Sequence, residues 1–321
     1  MFPEKLSVAN LPTKIEPIRY NDEFSLYIKR DDQTGTEFAG NKIRKLEYAV
    51  KEALDQGCDT LITCGGIQSN HARSTAAIAA RLGLQCHLFL RSDERKVPQG
   101  NHLLDHLLGA TVHRITAEEY RNSRTEMMNA LKEDLGNAYV IPEGASNAIG
   151  TFGYFNALKE IKEQEEALGI NFDTVVCAVG SGGTYAGLVF SNSVNHYGKN
   201  IVGINVCDSD DYFKEVTLSL VKPFEHYLGQ AVPITKDELQ IIDGYVGRGY
   251  ALNTSEELDF LKDFSVKTGI ILDPVYTGKA MLGLIQSLEN KHEYFKESKN
   301  ILFIHTGGLY GLFPKAEEFG L

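Results

Sequence analysis

Four short apolar runs in this chain each end at a turn of small residues, and helical spacing resumes after each turn. The runs are residues 60–64, 138–141, 174–179 and 301–304. Apolar runs that do not alternate with polar residues are typical of strands buried on both faces, and strands that alternate with helices favour a parallel sheet. The pattern therefore predicts an α/β fold, to which residues 85–91 and 201–206 add two further strands.

The turns that follow these runs are where the sequence predicts a ligand site. In open parallel sheets, ligands collect at the carboxyl ends of the strands, and all four turns fall there. Residues 93–100 and 208–243 are predicted to be polar loops and amphipathic helices.

Charge and composition narrow the class of protein. The 321 residues carry 43 acidic and 32 basic side chains, a formal net charge of -11, which argues against a protein that coats nucleic acid or an anionic membrane surface. The N-terminal stretch lacks the apolar core of a signal peptide, and no run approaches the roughly 18 apolar residues that span a bilayer. We expect a cytoplasmic protein that acts on a small molecule.

The five cysteines are odd in number and widely scattered. They form no CxxC pair and no Cys/His spacing typical of zinc, so no metal site is predicted. We expect them to be small buried hydrophobic residues in a reducing compartment.

The loop Gly180-Ser181-Gly182-Gly183-Thr184 follows the most apolar run and opens a helix. Backbone N–H groups at a helix N-terminus favour an anion, and the loop lacks both the lysine of a P-loop and the full GxGxxG spacing. A single phosphate monoester is therefore the natural ligand. The alternative is a glycine-rich turn needed only for close packing.

The turn Gly40-Asn41-Lys42 presents a lysine where a second helix begins. Asn41 is predicted to cap that helix, and the helix N-terminus disfavours the protonated form of Lys42, which helps an amine to act as a nucleophile. A solvated lysine in the first helical turn is the alternative.

Other polar residues in the turns have ordinary structural explanations as well. Ser69 and Asn70 open a helix, where both residue types are common caps. Tyr276 follows an Asp-Pro turn and could be a packing residue. His71 and His305 are interpreted as structural.

Five motifs occur in a definite order along the chain. They are Gly40-Asn-Lys42, Gly65-Gly-Ile-Gln-Ser-Asn-His71, Gly180-Ser-Gly-Gly-Thr184, Asp273-Pro-Val-Tyr-Thr277 and His305-Thr-Gly-Gly308. In these motifs, from about residue 12 to residue 313, the chain resembles the D-cysteine desulfhydrase and aminocyclopropane-carboxylate deaminase family. The resemblance implies the tryptophan-synthase β-like fold of type II pyridoxal-phosphate enzymes, with two open parallel-sheet α/β domains.

The resemblance also implies roles for individual residues. Lys42 would form the Schiff base with pyridoxal 5'-phosphate, while Lys45 and the 180–184 loop would bind its phosphate. Asn70 would hydrogen-bond the phenolic oxygen of the cofactor, and Ser69 would meet the substrate carboxylate and assist proton transfer. The two active-site tyrosines would be Tyr276 and Tyr250.

Two threonines bear on the substrate. Family members that act as deaminases have a glutamate near the pyridine nitrogen at the position of Thr277 and a leucine at the position of Thr306. Threonine at both positions resembles the desulfhydrase pattern, which implies elimination of hydrosulfide from D-cysteine to give pyruvate and ammonia. Deamination of aminocyclopropane carboxylate, elimination from L-cysteate or D-serine, and metabolite binding without catalysis stay open as alternatives.

Domain organisation and assembly are also implied by the resemblance. A larger cofactor-binding domain would comprise residues 1–48 and 160–321, and a smaller α/β domain would comprise residues 49–159. The cofactor and a small amino-acid substrate would lie between them. Family members are typically homodimers, and we expect neither a nucleic-acid nor a membrane partner.

Overall fold

The computed structural model describes residues 2–20, 25–93 and 97–320, and its strands form two sheets. Part of the predicted loop at 93–100, residues 94–96, lies outside the described residues. Within the described chain, no helix combines the length and the apolar character needed to cross a membrane.

In the part of the chain that the structure describes, the larger sheet has six strands. They are β1 Ile15–Ile18, β2 Ser25–Lys29, β7 Thr174–Val179, β8 Asn200–Asn205, β9 Gln240–Ile242 and β10 Asn300–Ile304. Their order is β1-β2-β10-β7-β8-β9, and every neighbouring pair is parallel except β1 and β2 at one edge. The central strand β7 is buried along its whole length, as the lack of alternation predicts.

The smaller sheet has four strands, all parallel. They are β3 Thr60–Gly66, β4 Gln85–Arg91, β5 Thr111–Ile115 and β6 Ala138–Val140. Their order is β5-β4-β3-β6. The predicted α/β class and all six predicted strands are therefore confirmed.

Ten α-helices connect and cover these strands in the described residues. They are α1 Lys42–Asp55, α2 Asn70–Leu82, α3 Gly100–Leu107, α4 Ala117–Asn122, α5 Arg124–Leu135, α6 Ala148–Leu168, α7 Gly183–Asn195, α8 Asp210–Leu228, α9 Ser255–Thr268 and α10 Thr277–Glu289. Three of the four small-residue turns lead to one of these helices, namely α2, α6 and α7.

Two local predictions were wrong. The stretch after β10 forms short 3-10 helices at Leu309–Gly311 and Phe313–Phe319 where an α-helix was expected. The segment 208–243, predicted to be loops and helices, ends in the short strand β9, which pairs with β8. A three-residue strand at the sheet edge is too short to give a periodic pattern in the sequence.

A buried ion network fixes the helix that begins at Lys42. Arg44 in α1 donates from two of its nitrogens to Asp31 at 2.8 Å and from a third to Glu160 in α6 at 2.9 Å. Lys29, at the end of β2, donates to the same Glu160 at 2.6 Å. Burial opposes ionisation of Asp31, but Arg44 and Lys29 outweigh it and hold the pKa of Asp31 at about 2.

The proposed domain boundaries fall inside helices. The strands of the smaller sheet lie between residues 60 and 140, and those of the larger sheet lie on either side. The boundaries after residues 48 and 159 interrupt α1 and α6, which pack against each other. The division into two domains remains a proposal.

Candidate active site

The carboxyl ends of both sheets open onto one cavity of about 800 Å³. Most of the residues singled out from the sequence line it. They are Lys42, Ser69, Asn70, Gly180, Ser181, Gly182, Thr184, Tyr250, Tyr276 and Thr306. Lys45, Gly183 and Thr277 are the three predicted residues that do not line it. The predicted location of the site at the strand ends is thus the location of the cavity.

Lys42 is the first residue of α1, and its side chain reaches into the cavity. Burial lowers the pKa of Lys42 to about 8, while the negative charge of Glu143 opposes the shift. The direction agrees with the expectation of a nucleophilic amine. Its main cause is desolvation rather than the helix terminus.

The expected cap of α1 is absent. Asn41 makes no capping bond and instead donates from Nδ2 to Thr184 Oγ1 at 3.0 Å, in the first turn of α7. Its backbone N–H donates to Thr306 O at 3.1 Å. A Cβ at Gly40 would lie 2.6 Å from that same carbonyl oxygen, so the turn must begin with glycine. The lysine turn is therefore held by α7 and by the segment after β10.

The 180–184 loop is a cradle of small residues at the N-terminus of α7. Gly182 has a φ of +82°, and a Cβ there would lie 2.7 Å from Val216 Cγ1. Beside it, Ser146 Oγ donates to Ser181 Oγ at 2.9 Å and accepts from the N–H of Gly183 at 3.3 Å. The first N–H groups of a helix have no partner within the helix, which suits an anion of the size of phosphate.

Lys45 lies behind this cradle. Its Nζ donates to Gly144 O at 3.1 Å and to Ser146 Oγ at 3.2 Å, and the side chain is fully buried. A Cβ at Gly183 would lie 2.9 Å from this Nζ, so Gly183 is needed for close approach. Direct contact of Lys45 with phosphate remains a prediction, and the contacts it makes support the loop through Ser146.

The turn after β3 presents two predicted residues. Ser69 Oγ caps α2 by accepting from Ala72 N at 3.2 Å, and the residue also lines the cavity. Asn70 Oδ1 accepts from Asn101 Nδ2 at 2.9 Å. That bond fixes the Asn70 amide and leaves its donor nitrogen to other partners.

Tyr250 and Tyr276 meet inside the cavity. Their hydroxyl oxygens are 2.8 Å apart, and their rings pack edge to face with centroids 6.0 Å apart. Burial raises the pKa of both phenols, so both are neutral at physiological pH. The two tyrosines, 26 residues apart in the chain, are thus in direct contact.

The two threonines lie in different surroundings. Thr306 lines the cavity, whereas Thr277 is fully buried away from it. The Thr277 hydroxyl donates to Asp273 Oδ1 at 2.7 Å and accepts from Asp273 N at 2.8 Å. Thr306 is therefore the residue of this pair that can meet a bound ligand.

The two histidines also differ in whether they line the cavity. His305 is satisfied on both ring nitrogens, by Ile271 O at 3.0 Å and by the N–H of Gly307 at 3.2 Å, which fits its structural interpretation. His71 lines the cavity, and its Nε2 meets Thr63 Oγ1 at 2.8 Å. Since Thr63 donates to Ile141 O, His71 must donate from Nε2, which leaves Nδ1 as an acceptor without a partner in the described residues.

Further lining residues gave no signal in the sequence. Arg91, the last residue of β4, has its guanidinium carbon 5.3 Å from the ring centroid of Tyr250 and 5.4 Å from that of Tyr120. Cys207 also lines the cavity, where burial raises its pKa to about 12 and keeps it a thiol. Arg91 ends β4 and Cys207 comes just after β8, and neither lies in a small-residue turn, the feature that identified the others.

The arrangement fits a ligand that carries both a phosphate and a group reactive toward amines. A Cβ at Gly144, whose φ is +69°, would lie 2.5 Å from Ser181 Oγ and 3.3 Å from Lys42 Nζ, so the space between lysine and cradle is kept open. No group of three or more histidine, cysteine or acidic side chains in the described chain is placed to hold a metal ion.

Comparison with known proteins agrees with this chemistry. The chain matches the family described as "Pyridoxal-phosphate dependent enzyme" over residues 6–307. It is 44% identical to a putative 1-aminocyclopropane-1-carboxylate deaminase of Thermotoga maritima, over 98% of this chain and 99% of that protein. It is also 44% identical to the mitochondrial bifunctional D-cysteine desulfhydrase/1-aminocyclopropane-1-carboxylate deaminase of Arabidopsis thaliana, over 97% of this chain and 80% of that one.

Solved structures show the same fold. An ACC deaminase homologue superimposes with a TM-score of 0.88 at 36% identity, covering 99% of this chain and 95% of its own. An O-ureido-L-serine synthase, at 16% identity and a TM-score of 0.69 over 95% of this chain and 93% of its own, shares the fold. The predicted type II architecture and the predicted cofactor are confirmed. The chain therefore belongs to the pyridoxal-phosphate-dependent enzyme family, among homologues of aminocyclopropane-carboxylate deaminase and D-cysteine desulfhydrase, and its cofactor is pyridoxal phosphate.

Proposed function

We propose that this protein is a lyase that eliminates hydrosulfide from D-cysteine and yields pyruvate and ammonia. The observation that carries the proposal is Thr306, a hydroxyl side chain on the cavity wall beside the lysine turn. The relative from Arabidopsis, whose name includes D-cysteine desulfhydrase, supports the same reaction.

Four parts of the wall would hold the cofactor. Lys42 would be its covalent attachment point, the 180–184 loop would bind its phosphate, Asn70 would meet its phenolic oxygen and Thr306 its ring nitrogen. Bound there, pyridoxal phosphate supplies an electron sink for negative charge at the α-carbon of an amino acid. Ser69, at the N-terminus of α2, is the proposed partner of the substrate carboxylate.

Lys42 and the side chains around it are the proposed proton-transfer groups. A pKa of about 8 leaves a useful fraction of its amine unprotonated at neutral pH, so Lys42 is the proposed base at the α-carbon. The raised pKa values of Tyr250 and Tyr276 make both phenols proton donors at the same pH. Ser69 and Tyr276 are the alternatives for the proton transfer at the α-carbon.

Thr306 bears on the choice of substrate because it offers a neutral hydroxyl, whereas deaminases of the family have a leucine at this position and a glutamate at the position of Thr277. A carboxylate beside a ring nitrogen stabilises a proton there, whereas a hydroxyl offers a neutral hydrogen bond roughly half as strong. Opening a carbon–carbon bond of a strained ring needs the stronger sink, and a thiolate leaves more readily. The carboxylates that line the cavity, Glu143 and Asp208, come from segments other than the one that carries Thr306.

Deamination of aminocyclopropane carboxylate is the second candidate. It is favoured by the name of the relative from Thermotoga maritima and by the close superposition on an ACC deaminase homologue. Elimination from L-cysteate or D-serine would use the same groups. A cytoplasmic homodimer is the form in which we propose that the enzyme acts.

The test compares two reactions, elimination from cysteine and ring opening of aminocyclopropane carboxylate. Sulfide and pyruvate released from D- and L-cysteine are measured against oxobutyrate released from aminocyclopropane carboxylate, with L-cysteate and D-serine as further substrates. We expect D-cysteine to give the highest kcat/KM, and faster ring opening than sulfide release would refute the assignment. A protein that purifies colourless and takes up no pyridoxal phosphate would instead indicate binding without catalysis.

Two substitutions test which threonine determines the preference for D-cysteine over aminocyclopropane carboxylate. Thr306→Leu alone should change the ratio of the two activities, because Thr306 lines the cavity. Thr277→Glu alone should mainly reduce stability, because the hydroxyl of Thr277 is buried against Asp273. If Thr277→Glu alone converts the enzyme into a deaminase, the assigned role of Thr306 is wrong.

A further inference from the structure

The segment of residues 243–254, which carries Tyr250, turns its backbone carbonyls toward one buried ammonium group. Lys279 Nζ donates to Val246 O at 2.6 Å, to Leu252 O at 2.9 Å and to Gly249 O at 3.1 Å. Lys279 lies in the first turn of α10 and is 1% exposed. Carbonyl oxygens that converge in this way replace the hydration shell of a monovalent cation.

The backbone of this segment adopts a conformation that needs support. Gly247 and Gly249 have φ values of +61° and +123°, and Ala251 has a φ of +58°, which is unfavourable for a residue with a Cβ. A Cβ at Gly247 would lie 2.2 Å from Glu257 Oε1 and 3.4 Å from Lys279 Nζ. Such conformations persist where the surrounding contacts over-determine them. The ammonium group supplies three of those contacts.

The carbonyl dipoles are the main partners of this positive charge. Among the described residues, the nearest carboxylate oxygen is Glu257 Oε1, which is 3.8 Å from Lys279 Nζ and so beyond a hydrogen bond. The other oxygen of Glu257 accepts from Asn253 Nδ2 at 3.0 Å and from Thr254 N at 3.1 Å. Burial lowers the pKa of Lys279, and Glu257 partly offsets the effect. The surroundings thus resemble those of a bound monovalent ion more than those of an ion pair.

We propose that the carbonyls of residues 246–252 form a monovalent-cation site that the chain fills with its own Lys279 ammonium group. Tyr276 is the N-cap of α10, three residues before Lys279, so the three hydrogen bonds tie the segment of Tyr250 to the helix that begins at Tyr276. Lys279 does not line the cavity, and it is a positioning residue that keeps the two phenols in contact. The enzyme therefore requires no added potassium or sodium.

Two variants of Lys279 separate the effect of its positive charge from the effect of the space that its side chain fills. Lys279→Ala leaves room at the carbonyls for a free ion, whereas Lys279→Met fills the same room with an uncharged chain. Thermal unfolding of the cofactor-free proteins is followed in potassium, ammonium, sodium and tetramethylammonium chloride at one ionic strength. This measurement does not depend on the proposed reaction, so its failure can be told apart from a wrong substrate.

The parent protein should unfold at the same temperature in all four salts. Lys279→Ala should unfold on the order of 5–10 °C lower in tetramethylammonium and recover in potassium or ammonium. Lys279→Met should not recover in any salt. If Lys279→Ala does not fold during expression, its refolding yield in the same salts gives the same comparison, with recovery expected in potassium or ammonium alone.

Activity gives the second measurement, and it rests on the proposed function. With cofactor bound, Lys279→Ala should lose on the order of 10- to 100-fold in the rate of pyruvate release in tetramethylammonium, because displaced catalytic groups cost rate, and should regain it in potassium. Lys315→Ala is the control, since Lys315 bonds Ala251 O at 2.7 Å in the same segment but lies outside the three-carbonyl site. Equal behaviour of Lys279→Ala in all salts, or potassium rescue of Lys279→Met, would overturn the proposal.

Discussion

The lowered pKa of Lys42 can be measured before any cofactor or substrate is added. A pKa of about 8 in place of 10.5 means that about one amine in ten is neutral at pH 7, compared with roughly one in three thousand for an unperturbed lysine. The neutral amine is the nucleophile, so at pH 7 Lys42 should present roughly 300-fold more of its reactive form to a small acylating reagent than an ordinary lysine of equal access.

The assay is competitive labelling of the cofactor-free protein across a range of pH, with peptide mass spectrometry to quantify each lysine. Lys51 is the internal reference, because its hydrogen bond to Asp55 raises its pKa above 10.5. Labelling of Lys42 should reach half its maximum near pH 8. Glu143→Gln should move that midpoint to lower pH, since the Glu143 carboxylate raises the pKa of Lys42. A midpoint for Lys42 as high as that of Lys51 would refute the reasoning.

Four further substitutions test the cofactor lysine, the 180–184 loop, the tyrosine pair and the buried ion network. Lys42→Ala should abolish lyase activity, and borohydride reduction with peptide mapping of the parent should find the cofactor on Lys42; attachment to Lys45 or Lys279 would contradict this. Gly182→Val should weaken cofactor retention more than it alters folding, with Gly57→Val as the control because it has a similar φ of +75° but open space around it. Tyr250→Phe should lower kcat by about tenfold with little change in unfolding temperature, and an unchanged kcat would exclude a role for the phenol pair. Asp31→Asn should lower the free energy of unfolding by roughly 3 kcal/mol at pH 7. The depressed pKa of Asp31 stabilises the fold above pH 3.8, and that contribution disappears toward pH 2, so urea denaturation should show a smaller loss of stability in acid. An equal loss at both pH values would count against the ion network.

The sequence predicted the parts of this protein that depend on local pattern. Non-alternating apolar runs located the strands, and the small-residue turns located the cavity wall, because in a parallel sheet all such turns meet at one edge. Lys42, the 180–184 loop and the tyrosine pair were all found in this way or through the resemblance to a family.

Contacts between distant residues were not predictable in the same way. Asn41 looked like a cap because its neighbours open a helix, but its amide donates to Thr184, 143 residues away. Thr277 follows an active-site tyrosine in the chain, yet the turn at Asp273 directs its hydroxyl away from the cavity. Arg91 reaches the site because β4 lies next to β3, an adjacency that no local pattern shows.

A single hydrogen bond joins the phenols of Tyr250 and Tyr276, and either oxygen can be its donor. In each orientation one hydrogen atom lies between the rings and the second stays on the accepting oxygen, pointing elsewhere. When the bond reverses, both hydroxyl groups rotate, so the hydrogen that points elsewhere now belongs to the other ring, while each hydrogen stays on its own oxygen and the total charge is unchanged. The cavity wall can thus present a phenolic hydrogen at either of two points. Leaving groups of different length can therefore meet a hydrogen-bond donor without a change in the protein backbone.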